Sequence, residues 1–364
     1  VRKAFILELP YIKRNLFVYE AYNNGKYTIA EKQQMFPHLF NSLSVVIPVL
    51  SSTFASVGRF LKHAGNMSLG MLIIDESGQA VPQSALGAIY RTRRAVVVGD
   101  PLQVEPVVTI PKVLIDILAD STCVADEYKV IENSAQTFAD NINEFNGMIG
   151  ERQVGCPLVV HRRCIEPMFS ISNLISYDNR MFNKTNKKEE YLKPENPFLI
   201  KKSGWINVEG AENGGKDHFV KNQAERVCQL MEDAVHIYSD LFETDDKIFI
   251  ITPFRTVAES MRKFIISYFS VKGYDKQILS KWTKNCVGTV HTFQGKDANE
   301  VLLVLGCSNK SAGAMNWVVK KANILNVACT RAKYRIAFIG NINDWKNRSC
   351  FREFIPNLID IINV

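Results

Sequence analysis

The chain has 364 residues, 46% hydrophobic and 22% charged, an ordinary globular composition with room for two domains and their cores. A net charge of +7 and a pI near 8.9 suit a polyanionic partner without demanding one. No apolar run reaches the length of a membrane span, and the start "VRKAFILELPYIKR" lacks a signal-peptide layout, so no membrane contact is expected.

In chain order, short apolar, β-branched runs recur: "SVVIPVL", "MLIID", "RAVVVGD", "KIFIITP", "CVGTVHTF", "EVLLVLG" and "YRIAFIG". Apolar residues in them are nearly continuous, which predicts strands covered on both faces. Between several lie helical patterns. "NQAERVCQLMEDAVHIY" puts Ala224, Val227, Cys228, Met231 and Val235 on one face, and "TVAESMRKFIISYF" and "WVVKKANILNVACTRAK" behave similarly. Strand–helix alternation predicts an α/β fold with parallel sheets. The elements fall into two clusters, residues 1–148 and 149–364, with the polar stretch "NKTNKKEEYLKPENP" as a surface loop in the second. The eight cysteines include no C-x-x-C pair, and most sit in apolar surroundings, as reduced thiols of a cytoplasmic protein would.

Asp75 and Glu76 follow the run "MLII", so they emerge at a strand's carboxyl end, where open α/β sheets bind ligands. Two adjacent bare carboxylates repel. A Mg²⁺ ion relieves the conflict if one acid holds it and the other activates a water, the division of labour in nucleotide hydrolysis. An isolated Asp-Glu is more often an acidic turn capping a helix. A second run, "RAVVVGDPLQVEPVV", follows and ends in Gly99, Asp100 and then Gln103. A glycine admits close backbone approach to a ligand, and a glutamine amide can touch both a terminal phosphate and a water. A plain turn is the common meaning of Gly-Asp-Pro, yet the two motifs in this order are specific together.

"LIIDESGQAVPQSA" followed by "VVVGDPLQVEPVV" resembles motifs II and III of superfamily 1 helicases, branch 1B, the group of the nonsense-decay and replication helicase–nucleases, and large bacterial members most of all. "VIPVLSSTFASV" resembles motif Ic, "CPLVVHRRCIEPMFSISNLISYD" motif IV, "KIFIITPFRTVAESM" the strand–loop after it, "VGTVHTFQGKDANEVLLV" motif V and "NILNVACTRAK" motif VI. The resemblance implies two RecA-like parallel-sheet domains facing one another, the first incomplete at its N-terminus and opening with a helical arm over about residues 1–42. It implies ATP and Mg²⁺ as cofactors and single-stranded DNA or RNA as partner. It implies Asp75 as the Mg²⁺ ligand, Glu76 as the general base and Gln103 as the γ-phosphate sensor. Arg163 and Arg331 would be arginine fingers that arrive on domain closure, with Arg162 the alternative to Arg163. Gly99, Asp100, Gly295 and Asp297 would line the nucleotide; Asp297 stands where the family usually has Glu. Ser51, Ser52, Thr53, Pro253, Phe254, Arg255, Thr289, His291 and Gln294 would meet nucleic acid. Each also has an ordinary structural reading: Thr289 as a strand residue, Phe254 as core.

A helicase motor also needs a phosphate loop, G-x-x-x-x-G-K-[ST], and the 364 residues contain none. The expectation is a helicase core whose phosphate loop lies in the rest of a parent chain, inactive when isolated. Two alternatives stay open: a non-hydrolysing nucleic-acid-binding scaffold with a degenerate motor fold, and a core accessory to a nuclease, for which no carboxylate cluster is evident.

Overall fold

The computed structural model describes residues 2–129, 131, 133–150, 152–185, 197–212, 214, 217–293, 295–320 and 322–362. Val1–Pro101 and Glu105–Glu144 form one compact unit; Leu102–Val104 and Phe145–Val364 form a second.

The first unit opens with helices α1 (Arg2–Asn23) and α2 (Ile29–Val46). A capping box starts α2: Thr28 Oγ1 accepts the Glu31 amide at 3.3 Å, and the Glu31 carboxylate accepts the Thr28 amide at 2.7 Å. Phe36 and Phe40 stack at 3.9 Å and are buried. The run Ser44–Leu50 is not the expected strand. Val45 and Val46 end α2, residues 47–50 are coil, and Val49 is 81% exposed. Pro48 has no amide to give a ladder, and a strand exists only where a partner pairs with it.

Next come α3 (Phe54–Phe60), β1 (Leu72–Ile74), α4 (Pro82–Tyr90), β2 (Ala95–Val97), α5 (Lys112–Ser121) and α6 (Ala135–Ile142). β1 and β2 pair in parallel, Leu72 opposite Ala95. Ile74 packs in a small cluster with Ala85 and Ala135, whereas Ile73 is 66% exposed and Val96 45%. The expectation of two covered faces therefore fails for this pair.

The turns leaving β1 and β2 touch. Ser77 donates its amide to Val98 O at 3.0 Å, and Val98 donates to Ile74 O at 2.8 Å. A Cβ on Gly99 would lie 2.6 Å from Gly78 N and from Ser77 Oγ, and one on Gly78 would lie 2.8 Å from Asp100 O. Ser77 Oγ donates to Gln136 Oε1 at 2.6 Å, and Gln136 Nε2 donates to Asp140 Oδ1 at 2.7 Å, a buried relay fixing the turn to α6.

The second unit begins with β3 (Gly147–Ile149) and β4 (Arg152–Val154), an antiparallel hairpin, then β5 (Val160–His161), α7 (Met168–Ser176) and β6 (Phe182–Asn183). Within the expected surface loop "NKTNKKEEYLKPENP", residues 186–196 lie outside the described residues. The rest is β7 (Gly204–Asn207), α8 (Lys221–Ile237), β8 (Ile248–Thr252), α9 (Arg255–Val271), α10 (Lys276–Cys286), β9 (Val287–Thr289), β10 (Ala298–Val304), α11 (Ala312–Lys320), α12 (Asn323–Arg331), β11 (Ala332–Gly340), α13 (Ile342–Trp345), α14 (Ser349–Leu358) and β12 (Asp360–Ile361). The expected helix over Trp317–Lys333 is thus two helices, and "CVGTVHTF" is a three-residue strand followed by a 3₁₀ turn, Val290–Phe293.

Six strands form one parallel sheet in the order β12-β7-β11-β10-β8-β9. Every residue of β8 is buried, and Val301–Val304 of β10 are too, as continuous apolar runs demand. Six cysteines are buried, while Cys123 and Cys156 are exposed. Among the described residues no helix is long and apolar enough to cross a membrane.

One buried acid interrupts β10. Glu300 is 0% exposed and accepts the Leu199 amide at 2.9 Å, the Ile200 amide at 2.6 Å and the Tyr238 hydroxyl at 2.6 Å. Burial raises its pKa above the usual value near 4.5. The folded state then holds a proton that the unfolded chain releases, so stability present below about pH 4.5 is lost as pH rises through the folded pKa. Glu300→Gln should flatten that decline; urea midpoints between about pH 4 and about pH 8 check it.

The touching turns generate a second expectation. Gly99→Ala should destabilise the first unit by about 1–3 kcal/mol, the usual cost of overpacking. Gly58→Ala is the control: it lies in α3 with nothing within 4 Å, and should be neutral or stabilising. Equal denaturation midpoints for the two variants would refute the packing argument.

Candidate active site

Asp75 and Glu76 are exposed at the carboxyl end of β1. Glu76 sits in the left-handed region at φ +53°, costly for a residue with a Cβ and typical of positions that aim a side chain. Asp75 Oδ1 accepts the Glu76 amide at 2.9 Å, and Gln79 Nε2 donates to Glu76 Oε2 at 3.2 Å. The second Asp75 oxygen accepts no hydrogen bond among the described residues, so an exposed carboxylate of the kind that holds hydrated Mg²⁺ is present. Gly99 and Asp100 lie beside this turn. The reason for Gly99 differs from the expected one: its hydrogen faces the Ser77–Gly78 backbone of its own unit. Ser51, Ser52 and Thr53 are exposed in the coil before α3. Thr53 occupies the cap position without a side-chain cap bond.

The second unit gathers the other motifs. Arg331 ends α12 with 0% exposure. Its Nε donates to Val327 O at 3.2 Å, Nη1 to Phe293 O at 3.3 Å and Lys296 O at 3.0 Å, and Nη2 to Thr330 Oγ1 at 3.2 Å. Nη2 also reaches Gln103 Oε1 at 3.4 Å. The structure thus brings together Gln103 and Arg331, and with them the turn that carries motif V. Gly295 in that turn has φ +76°, which explains the glycine through backbone conformation. Gln294 lies outside the described residues. Asp297 makes an ion pair with Lys333 at 2.7 Å, a contact that spacing alone does not announce.

Arg163 is half-buried, and Arg162 is exposed. The turn between them and α7 closes on His161: Cys164 donates its amide to His161 Nε2 at 2.9 Å, and its sulfur lies 3.0 Å from the same nitrogen. Burial first, and the Arg163 charge second, push the His161 pKa down to about 4. Burial pushes the Cys164 thiol up to about 12. Both groups are neutral near pH 7, so the charges of this turn are those of Arg162, Arg163 and Glu166.

Of the nucleic-acid candidates after β8, Pro253 and Phe254 are buried, and the Phe254 ring packs 4.8 Å from His218 and 6.0 Å from Trp317. Arg255 beside them is exposed and pairs with Glu259 at 2.9 Å. His291 is exposed, and Thr289 Oγ1 lies 3.3 Å from Thr292 Oγ1 at the end of β9.

Sequence reasoning missed Asn326. It is fully buried, accepts the Ser172 hydroxyl at 2.5 Å, and donates to Leu102 O at 2.9 Å and to Tyr177 OH at 3.0 Å. It joins motif III, α7 and α12. A polar residue on the apolar face of "NILNVACTR" was the available signal.

A family model described as an AAA domain matches residues 144–343, and a second of the same description matches residues 18–110. The chain is 22% identical over 331 residues to the probable helicase senataxin of Mus musculus, covering 87% of this chain and 11% of that protein. It is 23% identical to an uncharacterized ATP-dependent helicase of Methanocaldococcus jannaschii, covering 78% and 38%. It is 25% identical to regulator of nonsense transcripts 1 of Caenorhabditis elegans, covering 78% and 24%. The chain therefore spans a small part of each of these relatives. Among solved structures, an arterivirus nonstructural protein 10 helicase in complex with DNA aligns with a TM-score of 0.33 and 13% identity, over 74% of this chain and 39% of that one. With the first model covering more than half its length, and motifs II to VI in order along it, the chain belongs to the AAA-domain family as a superfamily 1 helicase core of the Upf1-like type.

Proposed function

We propose that this chain is the motor core of an ATP-driven helicase or translocase acting on single-stranded nucleic acid. The contact between Gln103 and Arg331, 228 positions apart, carries the reading, because it joins the γ-phosphate sensor of motif III to the arginine of motif VI. In this reading Asp75 would hold Mg²⁺. The ion's role is to neutralise charge on the phosphates. Glu76, aimed by its left-handed backbone, takes the proton of the attacking water. Gln103 orients that water, and Arg163 and Arg331 act as arginine fingers on the charge that develops on the γ-phosphate oxygens. Gly99, Asp100, Gly295 and Asp297 line the nucleotide. Ser51, Ser52, Thr53, Arg255, Thr289, His291 and Gln294 follow the nucleic-acid backbone. Free thiols suit a cytoplasmic setting.

A scaffold that binds nucleic acid without hydrolysis is the second reading. The two part on experiment. In a chain that joins residues 1–364 to a phosphate loop, Glu76→Gln should keep nucleotide binding and lose turnover by about a hundredfold or more, as general-base removal does. Turnover within a factor of about two of the parent would refute the base assignment.

Residues 1–364 alone should bind single strands weakly, with affinity falling steeply as salt rises, because phosphate contacts release counterions. They should release little phosphate from ATP, since nothing in the sequence cradles the β- and γ-phosphates. Filter binding and a phosphate-release assay check both. Strand-stimulated turnover abolished by Glu76→Gln would overturn the second half, and no binding at low salt would overturn the first.

A further inference from the structure

Outside the residues given a role above, one side-chain cluster in the second unit has the composition of a metal site. Glu212, His218 and Cys307 place one ligand atom each within 4.8 Å of one another. Glu212 and His218 lie six positions apart in sequence, and Cys307 follows β10 at its carboxyl end. We propose that these three side chains form a binding site for a divalent, borderline-soft cation of the Zn²⁺ class, with a fourth position open to water. The proposal goes beyond the motor reading and does not depend on it.

Three observations carry it. The first is the donor set. Thiolate, imidazole and carboxylate are the zinc ligands, and three of them with one open position is the pattern of an accessible site. His218 Nδ1 lies 3.3 Å from Glu212 Oε2. Two ligands each about 2.1 Å from one tetrahedral ion would stand at about that separation. The Glu212 side chain is 5% exposed and His218 21%, so His218 marks the entry side. Cys307 is 2% exposed.

The second is the support around the ligands. Glu212 Oε1 accepts the Ser308 amide at 2.6 Å and the Ser308 hydroxyl at 3.3 Å, and Oε2 accepts the Ser311 hydroxyl at 2.8 Å. A ligating carboxylate is ordinarily held by such outer hydrogen bonds. His218 is fixed through its own backbone, its carbonyl accepting the Cys307 amide at 2.9 Å, and its ring rests on Phe254.

The third is the backbone. His218 at φ +56° and Cys307 at φ +57° are both left-handed, as is Gly306, immediately before Cys307, at φ +61°. A Cβ on Gly306 would lie 2.7 Å from His218 O. Two non-glycine residues held left-handed cost about 1 kcal/mol or more each. That cost is spent on turning two potential ligands toward the same carboxylate. A plain His–Glu ion pair would not need the sulfur there. On binding, the thiol proton and any proton shared by His218 and Glu212 leave to solvent.

The test is Co²⁺ titration of the whole chain, reduced and first stripped with a chelator, with Zn²⁺ as competitor. One equivalent should bind and give a thiolate-to-cobalt charge-transfer band that Zn²⁺ removes. Cys307→Ser should abolish the band. His218→Ala and Glu212→Gln should each weaken binding by about tenfold or more. Glu212→Gln keeps a carbonyl acceptor for Ser308 and offers its NH2 to the Ser311 hydroxyl, which can accept, so it retains the fold, checked by circular dichroism, if Cys307→Ser does not. No charge-transfer band in the wild-type chain, or a band unchanged in a folded Glu212→Gln and His218→Ala, overturns the site.

Discussion

The second unit is organised around a guanidinium that has no access to water. Burying a charge is costly unless every donor finds an acceptor. Arg331 meets that demand with main-chain carbonyls of Val327, Phe293 and Lys296, the Thr330 hydroxyl and the Gln103 amide oxygen. These acceptors come from α12 itself, from the turn after β9 and from the segment Leu102–Val104. The position of three motifs is therefore set by one side chain. Lysine, with a compact ammonium and no planar fork, would not reach the same spread of acceptors.

Asn326 acts on the same helix by the same logic. One side chain accepts from Ser172 and donates to Leu102 and Tyr177, so α12, α7 and the Leu102 segment are held in one arrangement. A hydrophobic residue would fill the volume but would leave the Leu102 carbonyl and the Tyr177 hydroxyl short of a partner. The apolar core beneath, with Val327, Ala328 and Cys329 all at 0% exposure, supplies the burial that makes these polar contacts matter.

Much of the parallel sheet was legible because its central strands are buried on both faces and so read as unbroken apolar runs: Ile248–Thr252 and Val301–Val304 are the clearest. The same signal misled at Ser44–Leu50, where hydrophobicity is local but pairing is not, and at β1 and β2, which are covered on one face only. The adjacent acids Asp75 and Glu76 could be placed at a strand end from their position after "MLII". The reason for Gly99 could not, because it depends on Ser77 and Gly78, a turn some twenty residues away in sequence whose approach is three-dimensional. Phe254 looked like a base platform by its place after β8. Its ring packs against His218 and Trp317, neighbours that no spacing rule reveals.

Asp297 shows how a conservative-looking change is read physically. β10 and β11 pair in parallel with Ala298 opposite Ala332, and the Lys333 side chain reaches diagonally across that pair to the Asp297 carboxylate. Arg331 lies on the other side of the same pair, donating to Lys296 O next to Asp297. Motif VI thus grips motif V twice, once through main-chain carbonyls and once through a charge pair. The pair is only partly buried, at 22% and 36% exposure of its side chains, so its own energy is small. Its effect is geometric: it holds the Asp297 carboxylate toward β11.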